Sequence, residues 1–169
     1  MVVARRASRA RIGGYVLAVG GALLLLAVLS PMFGWPLDQY WLTIGFFVAM
    51  AVGFGMLAVA GDGPSKVALA AAAIGWAVRA IAFFVPAIGF LGGIANLLIV
   101  FGGLIGAVLL MSGSRGGRAG AVLLVVAMLL LVGFIYPQLI PFLPPAASAV
   151  IPGLLGAALL AAGVMLPRK

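Results

Sequence analysis

The sequence predicts an all-α fold, a polytopic membrane protein of six transmembrane helices arranged as three tandem helical hairpins. Three observations lead there. The 169 residues are 66% hydrophobic and 7% charged, whereas a soluble domain carries roughly a quarter charged residues and could not hide so much apolar surface. Six apolar runs approach the about 20 residues a bilayer crossing needs, at 12–30, 41–60, 67–85, 88–111, 119–136 and 146–166. Nine of the ten basic residues fall in four short segments separated by pairs of these runs.

Each run reads as a helix because open sheet edges do not survive in hydrocarbon, and continuous apolar stretches lack the alternation of a barrel strand. The first follows a basic N-terminal segment, 1–11. It is too long for a signal peptide and has no small-x-small cleavage site before Pro31, so an uncleaved span is expected. Pro31, Pro86 and Pro137 are expected to close the first, third and fifth runs, where a missing N–H and a fixed φ stop propagation. Polar turns at 61–65 and 112–117 separate the second run from the third and the fourth from the fifth. Pro152 is tolerated near the start of the last run, and Pro141, Pro144 and Pro145 predict a stiff connection before it. The whole chain forms a single transmembrane domain.

Orientation follows from charge. Arg5, Arg6, Arg9 and Arg11, then Lys66, then Arg115 and Arg118, then Arg168 and Lys169 make the four basic segments. Short loops rich in Lys and Arg stay in the cytoplasm, so both termini and both basic connections are assigned to that side of a plasma (cell inner) membrane. Trp35, Tyr40, Trp41 and Tyr136 supply an aromatic belt at the opposite surface. The net charge of +8 is then an orientation signal and an attraction to anionic headgroups, not a nucleic-acid footprint.

Taking the three prolines as hairpin tips gives a tandem organisation. A Gly-rich first helix ending in proline recurs at Gly20-Gly21 to Pro31, at Gly75 to Pro86, and at Gly133 before Pro137. In this the chain resembles the small HdeD-like membrane proteins. That resemblance implies an integral membrane protein associated with stress or acid resistance, without a known catalytic centre, and it carries over no functional residue.

Catalysis is not expected. There is no cysteine or histidine, and the two carboxylates, Asp38 and Asp62, fall on opposite sides of the membrane. Neither a carboxylate dyad nor a metal site can be assembled, the serines have no base to activate them, and no cofactor is expected.

The tenth cation, Arg79, lies inside an apolar run. Burying its guanidinium in the bilayer costs roughly 3 kcal/mol on insertion scales, so it requires water or a partner. It lies about 10 Å from the outer end of its helix, within partial reach of a snorkelling side chain. Counting outward from the turn at Ala87 puts Asn96 at nearly the same depth on the next helix. Asp38, on the outer connection, completes a candidate polar cluster of Arg79, Asn96 and Asp38. The cluster reads as a structural arginine, as a contact with another subunit or a headgroup, or as a site for an anion. Gly45, Ala49 and Gly53, with Gly102 and Gly106, form small-residue faces for helix packing.

Two functions follow. One is a non-catalytic integral membrane protein, an accessory subunit or stress-related component. The other is a small channel, carrier or substrate-binding membrane component for an anionic solute that uses Arg79. Expected partners are the bilayer itself, with its anionic headgroups, and either further copies of the chain or a larger membrane complex.

Overall fold

A computed structural model describes residues 2–113, 118–136 and 145–166, with the backbone alone for 2–6, 113 and 145–149. Among these residues every regular element is helical: α1 (Val2–Met32), α2 (Gln39–Ala60), α3 (Gly63–Phe84), a 3₁₀ segment (Pro86–Leu91), α4 (Gly92–Gly113), α5 (Arg118–Ile135) and α6 (Pro145–Met165). Five stretches are long and apolar enough to cross a membrane: Ala7–Met32, Gln39–Ala60, Gly63–Phe84, Pro86–Ser112 and Arg118–Ile135. A sixth, Val150–Met165, is apolar but shorter. This is the make-up of a polytopic membrane protein.

Helix boundaries differ from the sequence expectation where local chemistry intervenes. α1 starts at Val2, which places Arg5, Arg6, Arg9 and Arg11 on the helix itself; Ala and Arg are strong helix formers, and nothing in this stretch breaks them. Pro31 does not close α1 but sits inside its last turn. So near the end, its missing N–H leaves only one helical bond unmade. The stop is Gly34, whose φ of 65° is left-handed, and the Trp35 N–H reaches back to the Ser30 carbonyl at 2.9 Å in a Schellman-type ending.

α3 begins at Gly63, so Lys66 lies in its first turn and the preceding connection is shorter than expected. After Val85 the chain does not break cleanly at Pro86 but winds into the 3₁₀ segment, and α4 starts at Gly92, four residues later than predicted. Pro137, Pro141, Pro144, Arg115, Arg168 and Lys169 lie outside the described residues. Pro145 opens α6, and Pro152 lies within it.

Each helix packs on its neighbours in sequence, and α6 returns onto α1 to close a ring. Neighbours run antiparallel. Gly13 lies against Leu57 and Gly20 against Met50, while Gly106 meets Leu69 and Gly75 meets Ile99. At the closing seam Gly21 abuts Gly156, and Gly163 abuts Gly14. One end of the ring therefore gathers the N-terminal part of α1 and the starts of α3 and α5, with Arg9, Arg11, Lys66 and Arg118 exposed there. The other end carries Trp35, Tyr40, Trp41 and the 3₁₀ segment.

Leu17, Met50, Phe54, Leu69, Trp76, Ile99, Leu124, Met128, Leu155 and Leu159 meet in one core fed by all six helices. The outward faces are no more polar, with Val48, Val52, Ile74, Ile81, Phe101, Ile105 and Leu129 all exposed. A periphery of this kind suits lipid and not water.

Candidate functional site

Arg79 and Asn96 meet. The Arg79 Nε donates to Asn96 Oδ1 at 2.9 Å, linking α3 to α4 in a partly buried position. The amide orientation follows from chemistry, since a guanidinium only donates and must face the oxygen. Close approach of the two backbones makes the bond possible. A Cβ built on Gly75, one turn before Arg79, would lie 2.7 Å from the Ala95 carbonyl oxygen, so only glycine fits this crossing. The guanidinium continues along α4 toward its first residue, and a Cβ built on Gly92 would stand 3.5 Å from Arg79 Nη1.

The third member of the predicted cluster is not brought to them. Asp38 is the N-cap of α2, and its Oδ1 accepts the Tyr40 N–H at 2.8 Å. Among the described residues Asn96 is the hydrogen-bond partner of Arg79, and it does not neutralise the charge.

Both residues line a cavity of about 130 Å³ in the middle of the ring, whose other walls are Leu24, Phe46, Phe47, Trp76, Ile99, Leu131, Phe134, Ile135 and Leu155. All six helices contribute to it. The volume holds several waters, at about 10–15 Å³ of probe-occupied space for one.

Trp76 is a residue that sequence reasoning missed. It is 3% exposed, and its indole Nε1 has no hydrogen-bond partner. An orphaned N–H of this kind costs about 1–3 kcal/mol. Its spacing was a usable signal, because Trp76 lies three residues before Arg79 and so shares its helical face. Its ring packs edge-on against Phe46 with centroids 5.2 Å apart and also contacts Phe47 at 5.7 Å. Phe47 touches Phe83, and Phe83 touches Tyr40. These aromatics make a continuous wall from the exposed start of α2 down to the cavity.

The predicted packing residues all face neighbours within the chain. A Cβ on Gly53 would come within 2.7 Å of Leu17, one on Gly106 within 2.6 Å of Leu69, and one on Gly45 within 3.1 Å of Leu23, while Ala49 lies beneath Gly20. Gly102 abuts the α3 backbone, 2.6 Å from the Ala68 carbonyl by the same measure. A larger groove of about 710 Å³ runs along the outer face of α3 and α4. Its lining, which includes Val67, Ala71, Leu98 and Phe101, is apolar and supplies no chemistry.

No family model, curated protein or solved structure matches this chain.

Proposed function

We propose that the protein is a non-catalytic integral membrane protein that binds an anionic solute at Arg79, as a small carrier, channel or substrate-binding component. The observation that carries this reading is the position of the guanidinium, on the wall of a cavity shared by all six helices and tied down by Asn96. A cation retained in lipid with no neutralising carboxylate is costly, and an anion in that cavity offsets the cost.

The chain then crosses a plasma membrane six times as three tandem hairpins, with both termini cytoplasmic and the basic residues against anionic headgroups. The sixth crossing draws on α6. The hairpin pattern that resembles HdeD-like proteins belongs to the same proposal and suggests a stress-related setting.

A second reading, an accessory subunit of a larger complex or of a homo-oligomer, is favoured by the apolar groove along α3 and α4. It predicts a partner or second copy that co-purifies stoichiometrically in mild detergent.

Reconstitution into liposomes separates the two. Under the anion reading the wild-type protein passes or binds small anions, and Arg79→Leu, folded and inserted normally, does not. Equal behaviour of wild type and variant refutes it.

A further inference from the structure

The cavity that holds Arg79 is closed toward the basic end of the ring. On that side every helix contributes a buried residue, namely Leu17, Phe54, Leu69, Gly103, Met128 and Leu159 in helix order. Each lies three or more residues nearer the basic end than the cavity wall of its own helix. α2 and α5 stand opposite each other in the ring, yet Phe54 and Met128 reach the same point beside Gly103. A Cβ built on Gly103 would lie 2.5 Å from Met128 Sδ and 3.8 Å from Phe54 Cζ. The axis is therefore filled at that level.

Accessible surface lies the other way. Arg79, Asn96 and Ile135 are half-buried, whereas Trp76, Ile99 and Leu131, about one turn nearer the basic end on the same three helices, are buried. We propose that Phe54 and Met128 form a hydrophobic gate beneath the anion site, so that the solute reaches Arg79 from the aromatic half of the ring and passes to the basic end only when the gate moves. The proposal rests on the anion-binding reading and adds the control of access to that site. An apolar constriction holds back water and ions by dewetting, and it requires no hydrogen-bonded lock. Met128 is the movable member, because an unbranched thioether with three rotatable bonds repacks readily where an aromatic ring does not. Gly103 gives it the room. This is a carrier or binding component in a closed conformation, not an open channel.

The test uses the full-length chain, which contains no cysteine, with Leu131→Cys placed on the cavity wall one turn from Met128. Iodoacetate, a small anion, is added to intact cells and to inverted membrane vesicles. Gln39→Cys and Ser65→Cys in parallel samples report which preparation presents the aromatic end and which the basic end. Alkylation of Leu131→Cys is expected only in the preparation that labels Gln39→Cys. Met128→Gln, similar in length but polar, wets the constriction and admits iodoacetate from the basic end as well, whereas Met128→Leu leaves labelling one-sided. Labelling of Leu131→Cys from both ends, from the basic end alone or from neither overturns the proposal.

If Met128→Gln fails to fold, Met128→Ser is the second variant, and the sidedness of Leu131→Cys alone still decides whether the site is closed. One-sided labelling that persists in the folded polar variant overturns the assignment of the gate to Met128. Arg79→Leu separates this proposal from the reading beneath it. It slows alkylation by iodoacetate several-fold relative to the neutral iodoacetamide and leaves the sidedness intact. An unchanged ratio of the two reagents, with labelling still one-sided, refutes the anion reading and leaves the gate standing.

Discussion

The Arg79–Asn96 bond is open to a double-mutant cycle whose outcome can be sized in advance. Asn96→Leu preserves volume but removes the acceptor that Arg79 Nε meets at 2.9 Å. Among the described residues no other acceptor is hydrogen-bonded to Arg79. Hydrogen bonds to charged groups are worth about 1.5–3 kcal/mol in water-soluble proteins. Side-chain bonds between membrane helices average about 0.6 kcal/mol and reach about 1.7, because the unfolded chain in the membrane also finds partners. The guanidinium charge puts this pair at the upper end of the membrane range, so the expected coupling energy is about 1–2 kcal/mol.

The single variants differ in sign. Asn96→Leu destabilises, since it strands a charge. Arg79→Leu removes an insertion cost of roughly 3 kcal/mol but strands the Asn96 amide, so it is neutral to stabilising. The double variant carries no stranded group and is more stable than Asn96→Leu alone. Reversible unfolding in mixed micelles, followed by circular dichroism, measures all four corners. Independent sites add within about 0.3–0.5 kcal/mol. A coupling inside that margin refutes the claim that the two side chains form a pair.

Two further outcomes test packing and orientation. A leucine at Gly102 drives its Cβ to within 2.6 Å of the Ala68 carbonyl and 2.7 Å of the Ala72 nitrogen, both immovable backbone, whereas nothing lies within 4 Å of Gly93. Gly102→Leu should therefore cost about 1–3 kcal/mol by overpacking, seen as a lower melting temperature in detergent, while Gly93→Leu melts like wild type; equal melting of the two variants sinks the close-contact account. For orientation, the chain contains no cysteine, so single replacements report without a background. An impermeant maleimide should label Gln39→Cys in intact cells and Ser65→Cys only after the membrane is opened, and the reverse pattern inverts the assigned topology.

Much of this architecture was legible in the chain because membrane spans are specified by something additive, the length of an apolar run. Five of the six runs fall on stretches long and apolar enough to cross a membrane, and the last falls on the shorter apolar helix α6. The meeting of Arg79 with Asn96 was legible for a related reason: residue counts from a tight turn convert directly into depth at about 1.5 Å per residue. What failed was reasoning from charge balance to contact. Asp38 was assigned to Arg79 because their charges are opposite, but a backbone N–H two residues away is always within reach of a short carboxylate and requires no ordering of distant elements. Pro31 misled in the same local way. A proline one residue from a helix end interrupts little, and Gly34 sets the boundary by its backbone conformation. Trp76 escaped notice because a tryptophan in an apolar run reads as core packing, which it is; only the packed structure reveals that its N–H was left without a partner.

Packing and polarity are not separate devices in this bundle. Gly75 stands four residues before Arg79, and Ala95, whose carbonyl Gly75 abuts, immediately precedes Asn96. A close crossing of α3 and α4 thus lies one turn from the polar pair, and it sets the helix separation at which a planar guanidinium and a short amide can bond. In lipid there is no hydrophobic force to press helices together, so close backbone contact between small residues has to supply the precision. Trp76 lies between Gly75 and Arg79 in the same turn, wedged against the aromatic rings of α2. Gly75 against α4 and Trp76 against α2 therefore clamp the turn of α3 that carries Arg79 from two sides. A guanidinium held this way loses the freedom to snorkel fully to the surface, and that constraint turns an expensive residue into a fixed donor at the centre of the ring.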